Sequence, residues 1–148
     1  MSKTFLYRFF GLGKLPASVL APLEKEGIVL LDEGIRATVT YRNFRAPGKY
    51  SNWKRQWFSA AIILTKQRLL AFRLRSEIIN VHFTDERFRQ MQFSLEEAET
   101  LLVAFDASLF QVDWSGMIEY RFKIEQARDF FDKIQTVLKP LQNSGNTK

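Results

Sequence analysis

The sequence predicts a mainly β domain closed by a C-terminal α-helix, on three observations. Apolar and polar residues alternate at period two through the middle of the chain, Pro, Gly, Ser and Asn clusters punctuate the alternation, and period 3.6 takes over near the end. The first element is nonetheless helical. Leu15-Pro16-Ala17-Ser18 reads as a helix start, Val19, Leu20 and Leu23 form an apolar stripe, and Gly27 stands just past the end. Ile35, Ala37, Val39 and Tyr41 then alternate with Arg36, Thr38, Thr40 and Arg42, a half-buried strand. The stretch from Arg45 to Asn52, with Pro47-Gly48 and Ser51-Asn52, reads as a wide hairpin loop.

Trp57 to Leu64 is an unbroken apolar strand, Thr65-Lys66-Gln67 a tight turn, and Arg68 to Arg75 its partner. Further strands are expected at Ile78–Phe83, Arg89–Leu95, Thr100–Asp106 and Met117–Ile124, which makes seven. Ile124, Ala127, Phe131, Ile134, Leu138 and Leu141 draw one stripe down a final helix that Pro140 is expected to end. The organisation is one domain: an N-terminal extension with a short helix over 1–26, the β domain and its helix over 27–141, and a polar tail over 142–148. Trp57, Phe58, Phe72 and Phe122 are the expected core aromatics.

Composition narrows the function classes. The chain has 148 residues, 46% hydrophobic and 26% charged, with 14 Phe to fill a core. It has no Cys, which removes thiolate metal sites, thiol nucleophiles and disulfides together. Arg8 interrupts the short apolar N-terminus, so no signal peptide is expected, and no run reaches about 18 apolar residues. His82, the one His, should share a strand face with Asn80. Gly11-Leu12-Gly13-Lys14 lacks P-loop spacing, and Glu96, Glu97 and Glu99 read as solvated turn carboxylates. The expectation is a non-enzyme with no catalytic residues, no metal and no cofactor.

Charge is the strongest functional signal. The total is +6, but residues 35–76 hold ten Lys and Arg and no acid, while residues 77–120 hold nine acids against two Arg. A basic segment interleaved with aromatics points to an anionic partner. Pairing with the acidic segment across a sheet is the plainer explanation.

Two stretches carry a family resemblance. Asn52-Trp53-Lys54-Arg55-Gln56-Trp57-Phe58 resembles the start of the second strand in pleckstrin-homology domains, and Ile63-Leu64-Thr65-Lys66-Gln67-Arg68-Leu69-Leu70-Ala71-Phe72 resembles a hairpin of GRAM and bacterial pleckstrin-homology-like domains. The resemblance spans roughly Gly27 to Lys139 by order of elements. It implies a pleckstrin-homology-like barrel of seven antiparallel strands in two near-orthogonal sheets capped by one helix.

It also implies anion-binding residues flanking the first hairpin loop: Arg42, Arg45, Lys49 and Lys54, with Arg55 beside them. Where phosphoinositide binders place an Arg fork, this chain has Gln56, and Arg55 should point to the opposite face. Weak electrostatic binding to an anionic membrane surface or phosphorylated headgroups is therefore expected, at about 1 kcal/mol per basic residue that meets the surface. Tyr50, Trp53, Phe9 and Phe10 are the expected membrane or partner contacts. The expected location is cytoplasmic, and peripheral at the inner membrane face where lipid is bound. The alternative is protein–protein interaction or self-association as a homo-oligomer. Single-stranded nucleic acid ranks third: Tyr41, Phe44, Tyr50 and Trp53 do sit among cations, but the acid-rich second half argues against it.

Overall fold

The computed structural model describes residues 15–146, with side chains through residue 139, so Phe9 and Phe10 lie outside the described residues. In chain order the elements are α1 (Ala17–Glu26), β1 (Ile28–Ala46), β2 (Lys49–Ser51), β3 (Lys54–Thr65), β4 (Arg68–Arg73), β5 (Ser76–His82), β6 (Gln92–Glu96), β7 (Thr100–Asp106), β8 (Ser115–Lys123) and α2 (Ala127–Asn146). All the strands belong to one antiparallel sheet in the order β5-β4-β3-β1-β8-β7-β6, with the short β2 beside the end of β1. The sheet curls into a half-barrel around the main core and carries α2 at its end.

The 19-residue β1 lies at the centre of this order because it pairs with both β3 and β8. It starts at Ile28, earlier than the alternation suggests. Register shifts at Ile28/Leu30 and Glu33/Ile35 break the period-two pattern there, so the first turns of the strand do not read as one.

Packing occurs on both sides of the sheet. On the inner side Ile35, Ala37, Val39, Leu101, Val103 and Phe122 share one core with Phe130, Ile134 and Leu138 of α2. On the outer side, α1 covers one half of the sheet. Leu15 and Leu23 are buried against Ala61, Ile63, Leu70 and Phe72, with Val19 and Leu20 beside them. Gly27 ends this helix at φ +103, its N–H bonded to the Leu23 carbonyl at 3.0 Å. Arg68 of β4 holds Glu26 at 3.1 Å, and Thr65 donates to the same carboxylate.

Several expectations change. The wide loop over 45–52 is a hairpin instead: β1 continues to Ala46, Pro47 and Gly48 make the turn, and β2 pairs back onto Phe44–Ala46. Gly48 takes φ +72, which suits the turn. The strand expected from Arg89 begins at Gln92. Residues Glu86–Gln90 form a 3₁₀ turn, whose start is capped by the Asp85 carboxylate accepting the Arg87 N–H and which buries Phe88. Pro140 does not end α2, which runs on to Asn146 and takes in most of the expected polar tail. A proline removes one helical hydrogen bond without forbidding the ladder beyond it. Trp57, expected in the core, is 64% exposed.

Trp57 is exposed because the run from Trp57 to Leu64 is covered on both sides only in its later part. The outer side of β3 is sealed by α1 from Ala61 onward. Trp57 precedes that cover and faces outward, while its neighbour Phe58 turns in to meet Tyr120 edge-on at 6.2 Å. The other three expected core aromatics are placed as anticipated: Phe72 and Phe122 are buried, and Phe58 packs against the core.

Candidate functional site

The outer sheet face beyond α1 is polar, and strand register fixes what stands there. Rows of Cα partners run Arg55–Thr40–Glu119, then Trp57–Thr38–Arg121, then Ser59–Arg36–Lys123–Thr100 across β3, β1, β8 and β7. Successive rows on one face are about 6.6 Å apart. Each row carries at least one cation. The small side chains lie low: Thr38 and Thr40 are buried beneath longer neighbours, and Thr38 floors the space between them. The result is a cleft of about 440 Å³ whose walls include Trp57 and Arg55 on one side, Arg121 and Lys123 on the other, with Arg36 and Glu96 at one end.

A bulge extends this face toward the β1–β2 hairpin. The β1–β8 register slips between Arg42 and Arg45, with Asn43 at φ +50 and Gly116 at φ +96. The slip turns Phe44 inward, against Trp114 at 5.2 Å, and keeps Arg42 and Arg45 on the outer side. The Asn43 N–H donates to Asn52 Oδ1 at 3.0 Å, tying the bulge to the start of β3. Three guanidinium groups then lie over aromatic rings: Arg36 over Trp57 at 5.8 Å, Arg42 over Trp53 at 4.9 Å, and Arg45 over Tyr50 at 4.6 Å. Trp53 and Tyr50 are 66% and 53% exposed.

The expected site residues therefore divide. Arg42, Arg45, Arg55, Tyr50 and Trp53 share the outer face. Lys49 and Lys54 do not: Lys49 sits 6.0 Å from the Tyr41 ring, Lys54 is the Cα partner of Tyr41, and both lie on the core side of the hairpin. Lys66 and Arg68 stand at the far end of β3 beside α1, and Arg73 lies over Phe58 at 5.1 Å. The ten basic residues of 35–76 thus do not share one surface. Arg36, Trp57, Arg121 and Lys123, which the sequence reading passed over, take the places of Lys49 and Lys54. For Arg36 and Trp57 the signal was the alternation itself, since Arg36 shares parity with Thr38, Thr40 and Arg42, and Trp57 shares it with Arg55.

Ion pairs use up some of this charge. Glu119, 8% exposed, is bonded by Arg42 at 2.6 Å and Arg121 at 3.2 Å, and Arg121 also grips Glu96 with two bonds of 2.8 and 3.3 Å. Arg36, Arg55 and Lys123 make no ion pair among the described residues. Burial pushes the Glu119 carboxyl up, but the bonds from Arg42 and Arg121 outweigh it and hold the group below its ordinary value. Hydrogen bonds from Arg87 likewise bring Asp85 down to about 2.

A depressed carboxyl stabilises the fold above its unfolded pKa, and that contribution is lost as pH falls through the folded value. The melting temperature is expected to be level above about pH 5 and to fall between there and pH 2. Glu119→Gln should flatten part of this acid limb in a thermal melt series. An identical limb in the variant would remove Glu119 from the explanation.

His82 is exposed on β5, and among the described residues no group of three or more His, Cys, Asp or Glu stands close enough to hold a metal ion. No described helix is long and apolar enough to cross a membrane. Compared with known proteins, the chain matches no family model, and no curated sequence matches it.

Proposed function

We propose that this protein is a non-catalytic binding module of the pleckstrin-homology-like kind that holds a phosphate-rich anionic partner against the outer face of its sheet. The strand order, with a long first strand shared between the two halves of the curl and a C-terminal helix, supports the fold part of this reading. One observation carries the functional part. Tyr50, Trp53 and Trp57 form an exposed aromatic row, and Arg45, Arg42 and Arg36 lie over its rings. Of these cations Arg42 is also paired with Glu119, while Arg36 and Arg45 have no carboxylate partner among the described residues. Large exposed aromatics beside such cations suit binding rather than stability, since exposed ion pairs add little to a fold.

The membrane expectation keeps its electrostatic basis on a smaller surface. Arg36, Arg45, Arg55 and Lys123 are the outer-face cations left over after the pairs to Glu119 and Glu96. Anionic vesicles should co-sediment the protein at low salt and release it at physiological salt, and neutral vesicles should not bind. If neither anionic vesicles nor a soluble polyanion such as heparin binds at low salt, the reading fails. Self-association has one feature in its favour: β5 and β6, the two ends of the strand order, are each paired on one side only. Light scattering on the same samples reads the oligomeric state.

A further inference from the structure

We infer that the cleft beside Trp57 takes single-stranded nucleic acid, one base stacking on the Trp57 ring and the flanking phosphates meeting Arg36, Arg55 and Lys123. This rests on the outer face being the anion-binding surface and names what that surface selects. A lipid surface or a plain polyanion needs cations only, and it gains from aromatic rings only where they stand at the tip of a loop. Tyr50 and Trp53 are near the hairpin tip. Trp57 is not: it stands in the middle row of the sheet face, directly across from Thr38 and Arg121, where a flat bilayer gains little from it.

What a ring in that place can do is stack. Its 64% exposure leaves a face open, Arg36 lies over it at 5.8 Å, and the cleft it walls has room for a nucleotide at about 440 Å³. Cations flank the ring along the strand, with Arg55 two residues away on β3, and Arg36 and Lys123 in the next row. Buried Thr38 underlies the cleft. Trp53, just ahead of β3, gives a second exposed ring on this face. Rings spaced along a cationic face are the pattern that holds single strands with little sequence preference. The acids at the cleft reduce its charge without cancelling it. Glu96 is neutralised by Arg121, and Glu97 stands at the rim against Arg36, Arg55 and Lys123.

The test is fluorescence anisotropy of a labelled twelve-residue oligothymidine, run beside heparin and anionic vesicles as competitors lacking bases. The oligonucleotide should bind with an affinity that falls with salt at a log–log slope of about −2, as three phosphate contacts imply. Trp57→Ala should weaken it at least about fivefold with the slope unchanged, and Trp57→Phe should restore much of the loss. Arg36→Gln with Arg55→Gln should reduce the slope by about 1.4. Because Trp57 is exposed, circular dichroism of the variants should match the parent.

If the oligonucleotide binds no better than heparin and Trp57→Ala leaves it unchanged, the inference is overturned while the anion-binding face stands. Binding to vesicles alone overturns it in favour of a membrane. If none of the three probes binds, the face itself fails, and the inference with it.

Discussion

Gly116→Ala is expected to destabilise the fold by about 3 kcal/mol or more. A Cβ at this position would stand 2.3 Å from the Asn43 carbonyl oxygen and 2.7 Å from that of Arg42, and the backbone φ of +96 is one that side chains resist. Both obstacles are backbone, so neither can swing away, and β8 would have to separate from β1 at the slip between Arg42 and Arg45. Gly48→Ala supplies the control. Its φ of +72 is also left-handed, but nothing lies within 4 Å of the added carbon, so about 1 kcal/mol is expected. Urea unfolding of the two variants should separate them clearly. Equal midpoints would contradict the close approach of β8 to the bulge. Since the bulge keeps Arg42 and Arg45 on the outer face, Gly116→Ala should also weaken anion binding under conditions where the protein is still folded.

Phe122→Ala is expected to lose about 3–5 kcal/mol. Phe122 is fully buried, stands between Ala37 of β1 and Leu101 of β7, and stacks on Tyr120 at 6.0 Å. Removing the ring leaves a cavity that rigid neighbouring strands cannot fill. The informative comparison is Trp57→Ala, which deletes a larger side chain from the same sheet. With 64% of Trp57 in solvent, that change should cost about 1 kcal/mol or less. A loss near that of Phe122→Ala would mean that Trp57 is packed, and would undo its assignment to the outer face.

The strands were readable wherever one side of the sheet alone is packed. Thr100–Asp106 has the bounds its alternation suggests, and the stripe of Val19, Leu20 and Leu23 does pack α1 onto the sheet. Alternation fails where cover differs along one strand. From Trp57 to Leu64 the sequence is uniformly apolar, yet the outward positions change from solvent to α1 at Ala61, and no local residue marks that change. The strand expected from Arg89 was started too early because the 3₁₀ turn over Glu86–Gln90 depends on the Asp85 cap and on the burial of Phe88 in the distant core, neither of which leaves a period.

The basic segment was legible as charge and illegible as a surface. Arg45 joins Arg42 and Arg55 on the outer face only because of the bulge at Asn43, a slip that parity counting cannot see. The pairing of Arg42 with Glu119, 77 residues apart, depended on β8 returning beside β1. Arg121 and Lys123 reached the cleft by the same route and belong to neither charged segment. The plainer explanation holds for one pair across the sheet, Arg42 with Glu119, and does not extend to Arg36 or Arg55.

If anions are held on the outer face and not on the core side of the hairpin, two double variants of equal charge separate these surfaces. Arg36→Gln with Arg55→Gln, and Lys49→Gln with Lys54→Gln, each remove two positive charges from the same basic segment. Measured by anisotropy with the oligothymidine and by co-sedimentation with anionic vesicles, the first pair should lose at least about tenfold in affinity and the second no more than about twofold. Equal losses would show that net charge alone governs binding, and a larger loss from the lysine pair would place the site on the core side of the hairpin; either result would contradict the outer-face assignment.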